Sequence, residues 1–379
     1  MTTPIPFFQH AGIVTRSIAW FVLVVMFLCG LPVVLVWPGS FFAGLLVAAL
    51  LLALPVLGVW WLVCRRNPRF KTLPQYLKIS IATLMLMVVM ISLPVYYLSF
   101  EVNAHPSAIP QVTLTNGAKT VVFQGMVHVG SEPFYKSVVY DLERALSEGY
   151  TLFYEGVQPS PGEGDAWFSE YLAGGGDLSD NYKMLSSVCG LQFQLDYFSL
   201  LAADMKVHPE RHVTADVTTL DMKREFERLV KADPGFAARV EKKPAAATAA
   251  TQAAKEEPSD ITDTIFAYAK DGTPDQRKIL GILCRGAINA SLGSLGDTGG
   301  ALEPVILEYR NRNLAQQILT HHSKKIYITY GAAHLPGVIK LLKEKDPKWK
   351  VVSTKWMRAV GAPENLTGVL QPAPPGPAK

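Results

Sequence analysis

No charged side chain occurs between Arg16 and Arg65, and no Asp or Glu occurs anywhere in the first hundred residues. An uncharged, apolar run of that length cannot stay in water as a surface. A helix rises about 1.5 Å per residue, so roughly 20 apolar residues cross a bilayer's hydrocarbon core. The run is long enough for two crossings, with a natural break at Trp37-Pro38-Gly39-Ser40. The pattern predicts transmembrane helices at residues 17–37, 41–64 and 79–100, the third bounded by Lys78 and Glu101. Trp37, Trp60, Trp61, Tyr96 and Tyr97 fall near span ends, where amphipathic rings favour the interface. A cleaved signal peptide is a poor fit to the first span, whose apolar region is too long and lacks a small-residue cleavage site.

Charge sets the orientation. The loop between the second and third spans carries Arg65, Arg66, Arg69, Lys71 and Lys78, and short loops rich in Lys and Arg stay cytoplasmic. Three spans then place everything after Phe100 outside the cytoplasm, in a cell or plasma membrane. No charge lies within a span to suggest a transport path, so residues 1–103 read as an anchor. With those basic residues and Arg16 set aside, 30 Lys and Arg face 32 Asp and Glu in the rest of the chain, which excludes a basic nucleic-acid footprint. Cys29 and Cys64 belong to the spans. Cys189 and Cys284 would lie in an oxidising compartment, either as a disulfide or as two buried thiols.

Residues 104–360 are long enough for one sizeable domain. Residues 119–124 (KTVVFQ) form a β-branched apolar run and read as a buried strand, followed by Ser131-Glu132-Pro133, a helix start, and an amphipathic helix over 133–148. Residues 150–154 (YTLFY) form a second strand, parallel to the first by the grammar of a strand–helix–strand unit. The same grammar recurs at 325–330 (KIYITY), 338–345 and 349–354 (WKVVST), with a weaker strand at 212–215. The expected fold is α/β: a mostly parallel sheet built from two βαβ units with a helical insertion, preceded by three transmembrane helices. Residues 241–259 are a low-complexity loop, and 361–379 a Pro-rich tail.

The chemistry-bearing feature is a repeated Gly-x-x-His. Gly125 precedes His128 and Gly331 precedes His334, each pair lying between the end of an apolar strand and the start of a helix. Ligands bind at that carboxyl edge in open parallel sheets. Glycine lets the backbone turn sharply there, and a histidine three residues on can face the crevice. Glu155 occupies the equivalent place after the second strand. Two imidazoles and a carboxylate suit Zn, Mn or Co as a divalent ion and leave open positions for water. Taken singly, each histidine also reads as a hydrogen-bonded turn residue and Glu155 as a cap. Asp216 follows the 212–215 strand and reads either as a neighbour of Glu155 or as the cap of the next helix. Arg310, at i+3 from Leu307 and i−4 from Leu314, lies on the buried face of a helix predicted over 303–319; Arg312 falls about 200° round, toward solvent. A buried arginine needs a partner, and Glu155, Asp216 or a substrate anion would serve. His208 and His212 flank Pro209 and read as solvated loop residues; His321 and His322 read as surface. No HExxH zinc helix, GxSxG elbow or P-loop is present.

The segments VVFQGMVHVGS (121–131), YEG (154–156), the 305–318 helix with its Arg310-Asn311-Arg312, and IYITYGAAHLPG (326–337) resemble the TraB/PrgY/GumN family, which is related to the Tiki metalloproteases. The resemblance covers about residues 115–355. It implies roles for His128, His334, Glu155 and Arg310, and, by analogy with Tiki members, metal-dependent peptide hydrolysis. The three spans and the alanine-rich insert are departures from the family pattern. Two functions follow as expectations. The first is a membrane-anchored, metal-dependent hydrolase acting on a peptide or protein substrate outside the cytoplasm, with His128, His334 and Glu155 as ligands and Arg310 orienting substrate. The second is a non-catalytic receptor that sequesters a peptide or haem in the same cleft.

Overall fold

The computed structural model describes residues 7–64, 72–173, 178–241, 267–293 and 300–361. The loop at 65–71, the low-complexity stretch beyond residue 241 and the tail from residue 362 lie outside the described residues. Helices α1 (Phe7–Leu35), α2 (Gly39–Cys64) and α3 (Thr72–Ala104) come first, and all three are long and apolar enough to cross a membrane. All three start before the spans read from composition, because helix continues beyond the apolar stretch, and α3, with 33 residues, also runs past Phe100; α1 ends at Leu35, two residues short of the expected Trp37. Val34, Ala49, Ala53 and Val88 are buried where the three pack together. At Gly30 a Cβ would collide with Ser92 and Val88, so α1 and α3 approach closely there.

The rest of the described chain begins with β1 (Ala108–Thr115), β2 (Thr120–Met126), β3 (Val129–Gly130), α4 (Glu132–Ser147) and β4 (Thr151–Tyr154). A helical stretch follows: α5 (Glu163–Tyr171), α6 (Leu178–Cys189), a short β5 (Gln192–Phe193), α7 (Gln194–Phe198) and α8 (Ala202–Val207). Then come β6 (His212–Thr214), α9 (Thr219–Ala232) and α10 (Pro274–Gly293), and a closing run of α11 (Arg310–Thr320), β7 (Lys325–Gly331), α12 (Leu335–Lys345) and β8 (Lys350–Arg358). The chain is mostly helical around one six-stranded sheet of order β6-β4-β7-β2-β1-β8. Pairing is parallel from β6 to β2 and antiparallel on either side of β1, so only β1 runs against the rest. The strands of each strand–helix–strand segment are not nearest neighbours: β7 lies between β2 and β4, and β2 and β1 separate β7 from β8.

Period-2 alternation divides each strand between two cores. Val121, Phe123, Phe153, Ile326 and Ile328 face Leu314, Ile318, Val338 and Leu342 of α11 and α12. Leu152, Tyr327 and Met126 face Phe134, Val138, Leu142 and Leu146 of α4. Helices on both faces bury the parallel strands, as such sheets require. Ser131 precedes α4 but does not cap it through its side chain; its hydroxyl donates to the Ala359 carbonyl instead. At the far edge, β8 pairs only with β1 among the described residues, and eight of its nine residues are exposed.

Cys189 and Cys284 form a disulfide that ties α6 to α10. Helix α10 in turn packs on the membrane helices: Ile279 and Ile282 meet Val33 and Val95, and the Gln276 amide donates to the Val36 carbonyl at 2.9 Å.

Candidate active site

The carboxyl ends of β2, β4 and β7 bring their following residues to one edge. Two glycines make that edge possible. A Cβ at Gly125 would strike Ile109 and the Pro110 carbonyl of β1, so β2 can end this close to β1 only without a side chain. Gly331 keeps the end of β7 open to Glu155, and its N–H donates to Glu155 Oε2 at 2.6 Å.

Arg310 sits at the centre. It follows Pro304–Tyr309, a π-helical turn where the sequence reads as ordinary α-helix. Arg310 is buried, and its Nε and Nη2 fork onto Asp216 Oδ1 and Oδ2 at 2.9 and 2.6 Å. Nη2 also donates to Glu155 Oε1 at 2.7 Å. Nη1 makes only long contacts, 3.5 Å to the Ile306 carbonyl and 3.4 Å to His334 Nε2. The guanidinium lies 5.2 Å from the centroid of the Tyr330 ring. Asp216 does not cap α9, a role taken by Thr218 and Asp221 in a capping box; it accepts from Gly156 and Val217 N–H as well as from Arg310. Arg312 points elsewhere: half exposed itself, it donates to buried Glu225 at 2.7 Å.

His334 is buried, and its Nδ1 lies 2.7 Å from Asn311 Oδ1. A carbonyl oxygen only accepts, so Nδ1 carries the proton and Nε2 is bare. That nitrogen lies 3.8 Å from Glu155 Oε1. Asn311 fits there because residue 337 is glycine: a Cβ would run into the Asn311 amide. His128 stacks on Tyr182 of α6, with ring centroids 4.3 Å apart, and its Nδ1 meets the Gln194 amide nitrogen at 2.9 Å. Turning that amide over would put its carbonyl at Nδ1 and leave Nε2 bare.

Burial, seconded by the Arg310 charge, holds the His334 pKa down at about 4. Burial also lowers that of His128, against a smaller opposing pull from Glu155. For Glu155 and Asp216 burial is the largest influence and acts upward. Arg310 outweighs it, together with the two imidazoles at Glu155 and with Tyr330 and the Val217 N–H at Asp216, and both stay below the usual carboxylate range. Near neutral pH, Arg310 therefore offsets one of two carboxylates while both imidazoles are uncharged, and the cluster keeps one negative charge.

His212 departs from its reading as a solvated loop residue. It opens β6, and its side chain is buried between Tyr154, with Nδ1 2.7 Å from the hydroxyl, and Asp204, with Nε2 2.7 Å from Oδ2. Sequence reasoning assigned no role to Asn311, Gln194 or Tyr182. The glycine that admits Asn311 is the last residue of GAAHLPG; Gln194 and Tyr182 lie in short helices without a legible period.

No family model, curated protein or solved structure matches the chain. The case for a site therefore rests on the cluster's own chemistry. A bare imidazole nitrogen, a carboxylate with spare lone pairs and a residual negative charge suit a divalent cation. Among the described residues, no three His, Cys, Asp or Glu side chains converge closely enough to enclose one.

Proposed function

We propose that the protein is a membrane-anchored, metal-dependent hydrolase that cuts peptides outside the cytoplasm, a TraB/GumN-like domain of two βαβ units spanning residues 104–360. The observation that carries this reading is the unprotonated Nε2 of His334, oriented by Asn311 and set 3.8 Å from Glu155 and 3.4 Å from Arg310 Nη1. His334, Glu155 and His128, which do not converge on one point in this structure, would close on the ion, Zn, Mn or Co, which supplies Lewis acidity toward water and a carbonyl oxygen. The chain's own groups do the rest. Asn311 fixes the His334 tautomer, as partners of ligating imidazoles do. Asp216 holds Arg310 in place, and the weakly engaged Nη1 faces a developing oxyanion. Glu155, ionised, accepts a proton or orients water.

Two observations support the compartment. The basic loop lies between α2 and α3, at the opposite ends of those helices from the sheet domain, and the positive-inside rule keeps it cytoplasmic. The Cys189–Cys284 disulfide belongs to an oxidising environment. The receptor reading, in which the same cleft sequesters a peptide or haem, is favoured by the absence of a convergent three-residue cage among the described residues.

One experiment separates them. The purified protein is assayed for bound metal, then for turnover of a peptide library with and without chelator. Stoichiometric metal and chelator-sensitive turnover, both lost in His334→Ala, are the expected results. Tight peptide binding without turnover at any metal loading would establish the receptor instead.

A further inference from the structure

The site stands at the end of the sheet nearest the membrane helices. Strand β1 starts at Ala108, four residues after α3 ends at Ala104. It runs antiparallel to β2, with Gln111 opposite Gln124, so its start lies beside the end of β2. That end leads into His128. Val129, the next residue, packs with Val102 of α3 in one buried cluster that also holds Cys189, Leu191 and Val360. Val102 lies five residues past Tyr97, whose exposed ring suits the interface; five residues of helix rise about 8 Å.

A second connection reaches the same histidine. Helix α10 is seated on the membrane helices through Gln276, Ile279 and Ile282. It grips the end of α6 through Cys284 and through Arg285, which donates to the Cys189 carbonyl at 2.8 Å. Helix α6 carries Tyr182, stacked on His128. The segment from α6 to α7 also leaves large apolar side chains in the open: Met184, Leu185 and Leu195 are all exposed, and Leu195 adjoins Gln194, the hydrogen-bond partner of His128.

We infer that the site opens onto the bilayer surface, with Met184, Leu185 and Leu195 as a lip against the lipid, and that its substrates are polypeptides tethered to the same membrane and cut close to it. The inference rests on the hydrolase reading for the reaction, in which water adds across the amide, hydroxyl to the acyl carbon and proton to the departing amine. It does not rest on that reading for the orientation. A tether raises the effective concentration of a peptide at a site near the bilayer and is useless to a site facing away. A juxtamembrane segment and a lipid-acylated peptide present the same extended chain.

The test uses the full-length protein in liposomes loaded with Mn²⁺, Zn²⁺ or Co²⁺. One peptide pool is offered in four forms: free, on a diacyl lipid through a linker of about five residues, on the same lipid through about twenty-five, and fused to a transmembrane helix through the short linker. Short-tethered forms should turn over at least about tenfold faster than the free form. The acyl and helical arms identify which source is preferred. Met184→Gln/Leu185→Gln/Leu195→Gln should erase that advantage while sparing turnover of the free peptide. Equal rates for free and short-tethered forms, or a preference for the long linker, would overturn the inference. If no form is cut, the hydrolase reading fails, and the orientation is decided by a nitroxide on Leu195→Cys in a background without Cys29 and Cys64. Greater accessibility to lipid-dissolved oxygen than to an aqueous nickel chelate is expected. Accessibility matching a label at Lys340→Cys, on α12, would overturn it.

Discussion

Arg310 binds two buried carboxylates at once, and a lysine in its place keeps the charge but loses the planar fork. Arg310→Lys should leave the protein folded and lower peptide turnover about a hundredfold or more, as loss of a transition-state donor does. Arg312→Lys should be nearly silent, since Arg312 is itself half exposed and buried Glu225 keeps its two hydrogen bonds from Arg228. Equal, mild effects from both would remove Arg310 from the chemistry. His334 makes a prediction about stability. Unfolded, its imidazole takes a proton near pH 6.5; folded, it does so only at about 4. Between those values the unfolded chain binds more protons, so stability rises with pH across the window. The contribution, about 3 kcal/mol, is fully present above pH 6.5 and lost as pH falls through 4. Glu155 and Asp216, whose pKa values are also depressed, lose their contributions in the same direction at lower pH. Unfolding of the wild type and His334→Gln from pH 4 to 8 should show a shallower slope in the variant across that window.

At the scale of elements, glycines do positional work that a spacing motif only hints at. Gly337→Ala should push Asn311 off His334 Nδ1, since the new Cβ would occupy the amide's place. A loss of bound metal of about 10–100-fold in affinity, with the fold intact by circular dichroism, is the expected outcome. Unchanged affinity would show that the tautomer needs no such partner. What the sequence made legible here follows from the kind of signal. Strands β2, β4 and β7 are continuous apolar runs, and their ends locate Gly125, Glu155 and Gly331 directly. Strand β1 escaped notice because it has Pro110 within it and only alternate burial, a pattern that also reads as loop. The π-helical turn before Arg310 is invisible to a 3.6-residue period, although that period placed Arg310 on the correct face. Gln194 and Tyr182 reach His128 through a two-residue strand pair, β3 with β5, too short to leave a periodic trace.

For the whole molecule, the disulfide joins positions 95 residues apart and fastens α6 to a helix seated on the membrane segments. Replacing both cysteines with serine should cost about 2–4 kcal/mol of stability, read from thermal unfolding in detergent. A shift indistinguishable from zero would mean that α6 and α10 are held by packing alone. Topology is testable separately. A reporter fused after Lys379 should be active only outside the cytoplasm, and cytoplasmic activity would remove both the orientation and the compartment.

The exposed flank of β8 has a consequence in symmetry. Among the described residues its outward backbone faces no neighbouring strand, the kind of edge that recruits another copy of itself. Joining two such edges antiparallel requires a twofold axis perpendicular to the strands. Copies anchored in one bilayer are related only by rotation about its normal. If the strands stand along the bilayer normal, as the inferred placement of the site implies, the required axis lies in the bilayer plane and turns one anchor upside down. Anchoring in that pose forbids the pairing that the strand alone invites, with Lys350, Lys355 and Arg358 as a further deterrent. A chain shortened to begin at Ser107 escapes that restriction, and should self-associate on a sizing column at concentrations where the anchored protein in nanodiscs shows no association.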